Sequence, residues 1–240
     1  MPEPIKEISL SRYADRMLAA HPALARELAD PAPFTRAEMS RALEGAAADD
    51  EAALKARLRR LRHRVLLRAM ARDLSGRAGL EEVCGAMSDL AELEIAAALD
   101  WLGAQELVVV GMGKLGGREL NVSSDIDLVF LHPEPGEDAE RWEAAGRKLI
   151  RLLSEPTEDG FAFRVDMRLR PYGESGPLVC SFESLDLYFV TQGREWERYA
   201  WIKARALTGA RHDELAKIVR PFVFRKYLDY ATLSAMRALH

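Results

Sequence analysis

The chain has 240 residues, 30% of them charged, with a net charge of −4, so the electrostatic case for general nucleic-acid binding is absent. Hydrophobic residues make up 48%, enough for one large core or two small ones, yet no apolar run can cross a bilayer and the start MPEPIKEISLSRYADRM lacks a secretory pattern. Cys84 and Cys180 are the only cysteines and form no CxxC, which argues against structural zinc and a disulfide framework and makes a cytoplasmic protein the expectation.

Residues 1–104 read as a helical region. One helix is expected over Ser11–Ala29, ended by the prolines of DPAPF. Thr35 with Glu38 has the spacing of a capping box for the next helix. The longest helical pattern runs from Asp49 to Leu74, with Leu54, Leu58, Leu61, Val65 and Leu74 as its apolar face. Between Glu51 and Asp73 this segment carries Lys55, Arg57, Arg59, Arg60, Arg62, Arg64, Arg68 and Arg72 and no acid. A solvated helix face is the simpler reading of that run; a partner-binding surface is the other. A further helix is expected over Leu80–Leu102.

The pattern changes near Gln105, and residues 105–207 read as a separate core. Leu107–Val110 is a short β-branched strand leading into GMGKLGG, and SSDIDLVFLH contains a second strand. PEPGED predicts a turn and Asp138–Leu153 a helix. FAFRVDMRLRP alternates with period two, which puts Phe161, Phe163, Val165, Met167 and Leu169 on one strand face and Arg164, Asp166, Arg168 and Arg170 on the other, up to Pro171. A short strand over Leu178–Ser181 and helices through most of 182–240 complete the chain. In GREWERYAWIKAR, Trp196, Tyr199, Ile202 and Ala206 have the spacing of a packed helix face. At the end, Phe224, Tyr227, Leu228 and Ala231 share one side of a predicted helix, so an exposed apolar face is expected there.

GMGKLG matches the GxGxxG fingerprint, but a dinucleotide-binding unit needs a crossover helix before the next strand, and only eight residues separate Gly116 from Asp125. The P-loop pattern fails as well, because Lys114 is followed by Leu115. Two readings of this turn stay open: a tight turn that uses glycine for its backbone freedom, or a turn whose N–H groups approach a phosphate beside Lys114.

Asp125 and Asp127 are two apart in a predicted strand, so both point to one face. Like charges so close are costly without a counter-charge. Asp166, on the polar face of another predicted strand, meets them if the two strands are neighbours. Mg²⁺ favours carboxylate and phosphate oxygens, and two such ions can clamp the attacking and leaving oxygens of a displacement at phosphorus. With Ser123 and Ser124 ahead, the pattern G-x11-D-x-D runs from Gly113 to Asp127.

On the stretches VVVGMGKLGGRELNVSSDIDLVF, FRVDMRLRPYGESGPLV and TQGREWERYAWIKARAL, the chain resembles the DNA polymerase β-like nucleotidyltransferases. Within that group it is similar to the glutamine synthetase adenylyltransferase/adenylyl-removing enzyme family. The resemblance implies an α+β fold: a nucleotidyltransferase core with a small mixed sheet, flanked by N-terminal and C-terminal helices. It implies Asp125, Asp127 and Asp166 as catalytic Mg²⁺ ligands. It also puts Gly113, Lys114, Gly116, Gly117 and Ser124 at the nucleotide phosphates.

Family members carry two related catalytic domains, one attaching AMP from ATP to a tyrosine of glutamine synthetase and one removing it by phosphorolysis with release of ADP. NVSSDID and VDMRLRPYGESGPL look like the removing domain. The implied partners are adenylylated glutamine synthetase, the PII signal protein, ADP or ATP and inorganic phosphate, with no nucleic acid and no membrane. The alternatives are the adenylylating reaction, or a non-catalytic fragment that binds glutamine synthetase or PII. The family protein is several times longer than this chain, so 208–240 is expected to be the start of a truncated helical region.

Arg168 and Arg170 share the predicted face of Asp166, and binding an incoming phosphate or pairing with nearby acids are equal readings. His132, at a strand end, reads as structural. The resemblance gives Glu195, Arg198, Lys203 and Arg205 a supporting role at the site.

Overall fold

The computed structural model describes residues 11–30, 32–132 and 139–224. These form two compact units that interleave along the chain: one of 11–101, 118–124 and 152–164, the other of 102–117, 125–151 and 165–224.

The first unit is helical. It contains α1 (Arg12–Ala20), α2 (Ala25–Ala29), α3 (Arg36–Ala42), α4 (Glu51–Leu74) and α5 (Leu80–Trp101). The single helix expected over 11–29 is instead broken at His21–Pro22. Proline disfavours helical backbone in the residue before it, and His21 sits at φ −133°, ψ 73°, followed by a 3-10 turn over Pro22–Leu24. The capping box of α3 is present: Thr35 Oγ1 accepts from the Glu38 N–H at 3.2 Å, and Glu38 Oε2 accepts from the Thr35 N–H at 2.8 Å.

Along α4, Leu54, Leu58, Leu61 and Val65 are buried as predicted, but Leu74 at the C-terminal end is exposed. The solvated-face reading of the arginine run is overturned, because Arg59, Arg62, Arg68 and Arg72 are buried. Arg59 donates to the backbone carbonyls of Gly160 (2.8 Å), Lys55 (3.0 Å) and Leu152 (3.1 Å) and to that of Glu155. Arg68 and Arg64 bind the two oxygens of the buried Glu27, and Arg72 grips Glu82 at 2.6 and 2.9 Å. A guanidinium is tolerated inside a protein when its donors are met in this way.

The second unit holds a five-stranded mixed sheet made of β1 (Val108–Gly111), β2 (Ile126–Leu131), β3 (Val165–Asp166), β4 (Val179–Cys180) and β5 (Arg205–Ala206). β1 pairs antiparallel with β2 and β5, while β3 and β4 run parallel to β2 along the same edge. The β-branched run Val108–Val110 and the apolar residues of β2 are fully buried. A one-turn helix, α6 (Gly113–Gly116), follows β1, and α7 (Ala139–Ser154) follows β2. α7 comes close to β2 at Gly146, where an added Cβ would lie 3.0 Å from the Phe130 ring. The opposite layer comprises α8 (Phe182–Thr191), α9 (Glu195–Trp201) and α10 (His212–Val223), with Phe189 stacked on Phe222 at 4.0 Å and edge-on to Trp201 at 5.0 Å.

The architecture is therefore α+β with a small mixed sheet and flanking helices. Two further expectations change. The alternating segment 161–169 supplies only Val165–Asp166 as strand, because the N–H groups of Ala162 and Phe163 both turn back to the Leu153 carbonyl and Arg170 closes a turn on Met167. The packed face expected for the GREWERYAWIKAR helix is the outer one: Trp196, Tyr199 and Ile202 are exposed, Ala206 belongs to β5, and Glu197, Arg198 and Trp201 are buried instead. The buried polar groups are met internally, by the Tyr188 hydroxyl on Glu197 at 2.5 Å and by Arg198 on the Phe222 carbonyl at 2.8 Å. The PEPGED turn and the C-terminal apolar face at Tyr227, Leu228 and Ala231 lie outside the described residues. Among those described, no helix is long and apolar enough to cross a membrane.

Candidate active site

The sheet register brings Asp127 of β2 directly opposite Asp166 of β3 in the parallel pair. Register partners in a parallel ladder point to the same face. Asp125 stands one residue ahead of the first residue of β2, exposed, and two ahead of Asp127. Burial raises the Asp127 carboxyl above its ordinary range, and the charges of Asp166 and Asp125 raise it further, while Arg168 and Lys114 oppose the shift. The three carboxylates therefore share one electrostatic neighbourhood.

Asp166 behaves in the opposite sense. Arg168 holds it below the usual carboxylate range, with its Nε 2.8 Å from Oδ2 and its backbone N–H 2.8 Å from Oδ1. Arg170 does not reach Asp166. Its Nη1 donates to the Met167 carbonyl at 2.8 Å, and its buried Nε has no hydrogen-bond partner. Arg168 and Arg170 line a cleft of about 360 Å³ together with Tyr172, Gln192, Arg194 and Trp196. Neither Tyr172 nor Arg194 stood out in the sequence; the positive φ of Tyr172 (61°) becomes visible only in the backbone.

The glycine-rich segment is the helical turn α6, not an open loop. The Met112 N–H donates to the Asp127 carbonyl at 2.9 Å, which brings the turn alongside β2. Gly113 adopts φ +50°, and a Cβ there would lie 3.1 Å from Asp127 Oδ2. At Gly116 a Cβ would lie 2.1 Å from the Lys203 carbonyl oxygen and 2.5 Å from that of Gly111, so this position requires glycine. The amides of Gly116 and Gly117 close the turn on the carbonyls of Met112 and Gly113, at 3.0 and 3.1 Å. In this conformation they are engaged there, which leaves Gly113 and Lys114 as the residues nearest the acids.

Arg205 supports the turn from β5. Its Nε is 3.1 Å from the Gly116 carbonyl oxygen and its Nη2 is 3.3 Å from that of Leu115. Ser124 directs its hydroxyl to Asn121 Oδ1 at 2.9 Å. Arg198 is buried against α10 and Glu195, and His132 is buried with its backbone N–H on the Cys180 carbonyl at 3.1 Å. Among the described residues no group of three or more His, Cys, Asp or Glu side chains forms a ready cation cage. Asp166 is turned toward Arg168.

The profile of the glutamate-ammonia ligase adenylyltransferase family matches residues 5–218. A bifunctional glutamine synthetase adenylyltransferase/adenylyl-removing enzyme from Aromatoleum aromaticum is 51% identical, over 100% of this chain and 28% of its own length. Proteins of the same description from Ralstonia nicotianae and Nitrosomonas europaea are 47% and 49% identical, over 97% and 96% of this chain and 28% of their own. The chain thus spans between a quarter and a third of the length of these relatives. By the extent of that match, it belongs to the glutamate-ammonia ligase adenylyltransferase family.

Proposed function

We propose that the chain carries the adenylyl-removing activity: phosphorolysis of the bond between AMP and a tyrosine of glutamine synthetase, on a core of the DNA polymerase β-like type. The observation that supports nucleotidyl transfer is the register pairing of Asp127 with Asp166, with Asp125 acting on the same carboxylate, and the removing direction rests on the stretches NVSSDID and VDMRLRPYGESGPL. The relatives' names supply glutamine synthetase and the adenylyl group.

Asp125, Asp127 and Asp166 are the residues that would hold Mg²⁺. The donor set fits a hard cation, and Asp127, raised first by burial and then by the charges of Asp166 and Asp125, is a carboxyl that a cation would hold ionised. Bound there, Mg²⁺ would neutralise oxygens on the phosphorus under attack. Arg168, paired with Asp166, stands beside that site. Arg168, Arg170 and Arg194 offer forked donors to an incoming phosphate in the adjoining cleft. Gly113 lets the chain pass close to Asp127, and Lys114 adds positive charge beside it. An oxygen of inorganic phosphate forms a bond to the adenylyl phosphorus as the bond to the tyrosine oxygen breaks. The products are ADP and a phenol of pKa about 10, which takes its proton from solvent without a dedicated acid.

The test incubates the chain with adenylylated glutamine synthetase, Mg²⁺ and phosphate and measures ADP. A parallel reaction with unmodified glutamine synthetase and ATP measures pyrophosphate. ADP formation that depends on both phosphate and Mg²⁺ supports the reading. Pyrophosphate formation alone would assign the opposite reaction, and neither product would leave a binding fragment.

A further inference from the structure

The helical unit contains a cavity of about 580 Å³ that lies wholly within it and has no part in the site above. That size suits a small organic molecule. Its lining includes apolar side chains, Met17 from α1 and Leu66 and Met70 from α4. It also includes Tyr13, Arg62 and Phe161.

Arg62 is the group that points to a ligand. It is 8% exposed, and its buried Nε has no hydrogen-bond partner. Its Nη1 has only a long contact, 3.4 Å, to the Tyr13 hydroxyl, which lines the same cavity. The guanidinium lies over the Phe161 ring, 5.1 Å from its centre, and Arg164 approaches the same ring at 5.4 Å. This differs from Arg59, three residues earlier on α4, whose donors are met by backbone carbonyls. A buried guanidinium with donors to spare is costly unless something acidic meets it.

Two acids, Asp159 and Glu158, line the same cavity, and with Glu94 they meet that need poorly. Asp159 is 3.6 Å from His21 and 3.8 Å from Arg60, and Glu158 is exposed at the rim. Glu94 on α5 faces Arg62 and Arg59 electrostatically, but burial drives its carboxyl toward the protonated form and neither oxygen has a hydrogen-bond partner.

We propose that this cavity binds a small organic anion with an apolar or aromatic body: its acid group meets Arg62, and its body lies against Met17, Leu66 and Met70. Binding of this kind would join α1 to α4, two elements of the helical unit, and does not depend on the reaction assigned above.

The test titrates the 240-residue chain with 2-naphthoate, following ligand fluorescence, beside 2-naphthylmethanol, 2-naphthylmethylamine and inorganic phosphate. Saturable one-to-one binding of 2-naphthoate is expected, with the neutral and cationic analogues and phosphate alone at least about ten-fold weaker. Arg62→Met should weaken 2-naphthoate by about ten-fold or more. Ala20→Trp, at an exposed position on the cavity rim, should weaken it while keeping every charge. Should Arg62→Met fail to fold, Ala20→Trp and the analogue series decide. The proposal is overturned by equal binding of the alcohol or of phosphate, by an unchanged affinity in Ala20→Trp, or by no binding of 2-naphthoate at millimolar concentration.

Discussion

Asp127 and Asp166 face one another across two adjacent parallel strands, yet their carboxyls are shifted in opposite directions, one raised by burial and like charge, the other lowered by Arg168. A carboxyl raised in the folded state binds protons that the unfolded chain has released. The Asp127 term therefore favours the fold below the ordinary aspartate pKa and declines as pH rises through the folded value.

Asp127→Asn should accordingly remove that decline while abolishing turnover. The expected result is a melting temperature equal to or above wild type at neutral pH, with phosphorolysis lowered by more than about a hundred-fold. Calorimetry and the ADP assay read the two effects separately, and an active Asp127→Asn enzyme would sink the assignment of the acid.

Gly116→Ala should cost about 3 kcal/mol or more, because backbone oxygens of Lys203 and Gly111 occupy the space of the new methyl group and cannot rotate away. Gly85→Ala is the matched control. It lies inside α5 with nothing within 4 Å of the added carbon, and should stabilise by about 0.5–1 kcal/mol. Urea unfolding of both variants checks the difference in sign.

Arg59→Lys should destabilise by about 2 kcal/mol although it keeps the charge, since one ammonium cannot reach carbonyls spread over Lys55, Leu152, Glu155 and Gly160. Arg60→Lys, exposed on the next position of α4, should change stability by less than about 0.5 kcal/mol. Equal midpoints for the two in denaturant would contradict the buried role given to Arg59.

Burial, with the neighbouring His21 and Arg62, pushes the His63 imidazole down to about 4 from an ordinary 6.5. A base held neutral in the fold gives stability that is fully present above the unfolded pKa and lost as pH falls through the window from 6.5 to 4. The melting temperature of wild type should drop across that window more steeply than that of His63→Gln. Parallel curves for the two proteins would remove His63 as the cause.

The elements legible in the sequence were those whose signal is local. Thr35 and Glu38 announce a cap, the Val108–Val110 run announces a buried strand, and Asp127 and Asp166 announce a shared face, while Asp125, expected in the same strand as Asp127, stands just ahead of β2. What escaped was decided at a distance. The arginine run of α4 looks solvated because its partners lie elsewhere, Glu27 for Arg68 and the carbonyls near Gly160 for Arg59. The alternation over 161–169 is a true period of two, but the backbone turns to Leu153 before β3 and closes on Met167 after it, which leaves two residues of strand. On α9 the apolar stripe faces out because Tyr188 and Phe222 supply hydrogen-bond partners for Glu197 and Arg198, a trade no helical periodicity encodes. The facing of Asp127 and Asp166 was legible; Tyr172 and Arg194, which line the neighbouring cleft, were not, since neither belongs to a spacing pattern.

The chain passes between its two units five times, at 101/102, 117/118, 124/125, 151/152 and 164/165. No single cut frees either one. A segment exchanged for its strands alone would carry off pieces of the helical unit, so an exchange that keeps both units whole moves the interleaved span together. On the ribosome the same threading delays completion: the helical unit lacks its last segment until residue 164 has emerged, by which time both long strands of the sheet have already been made.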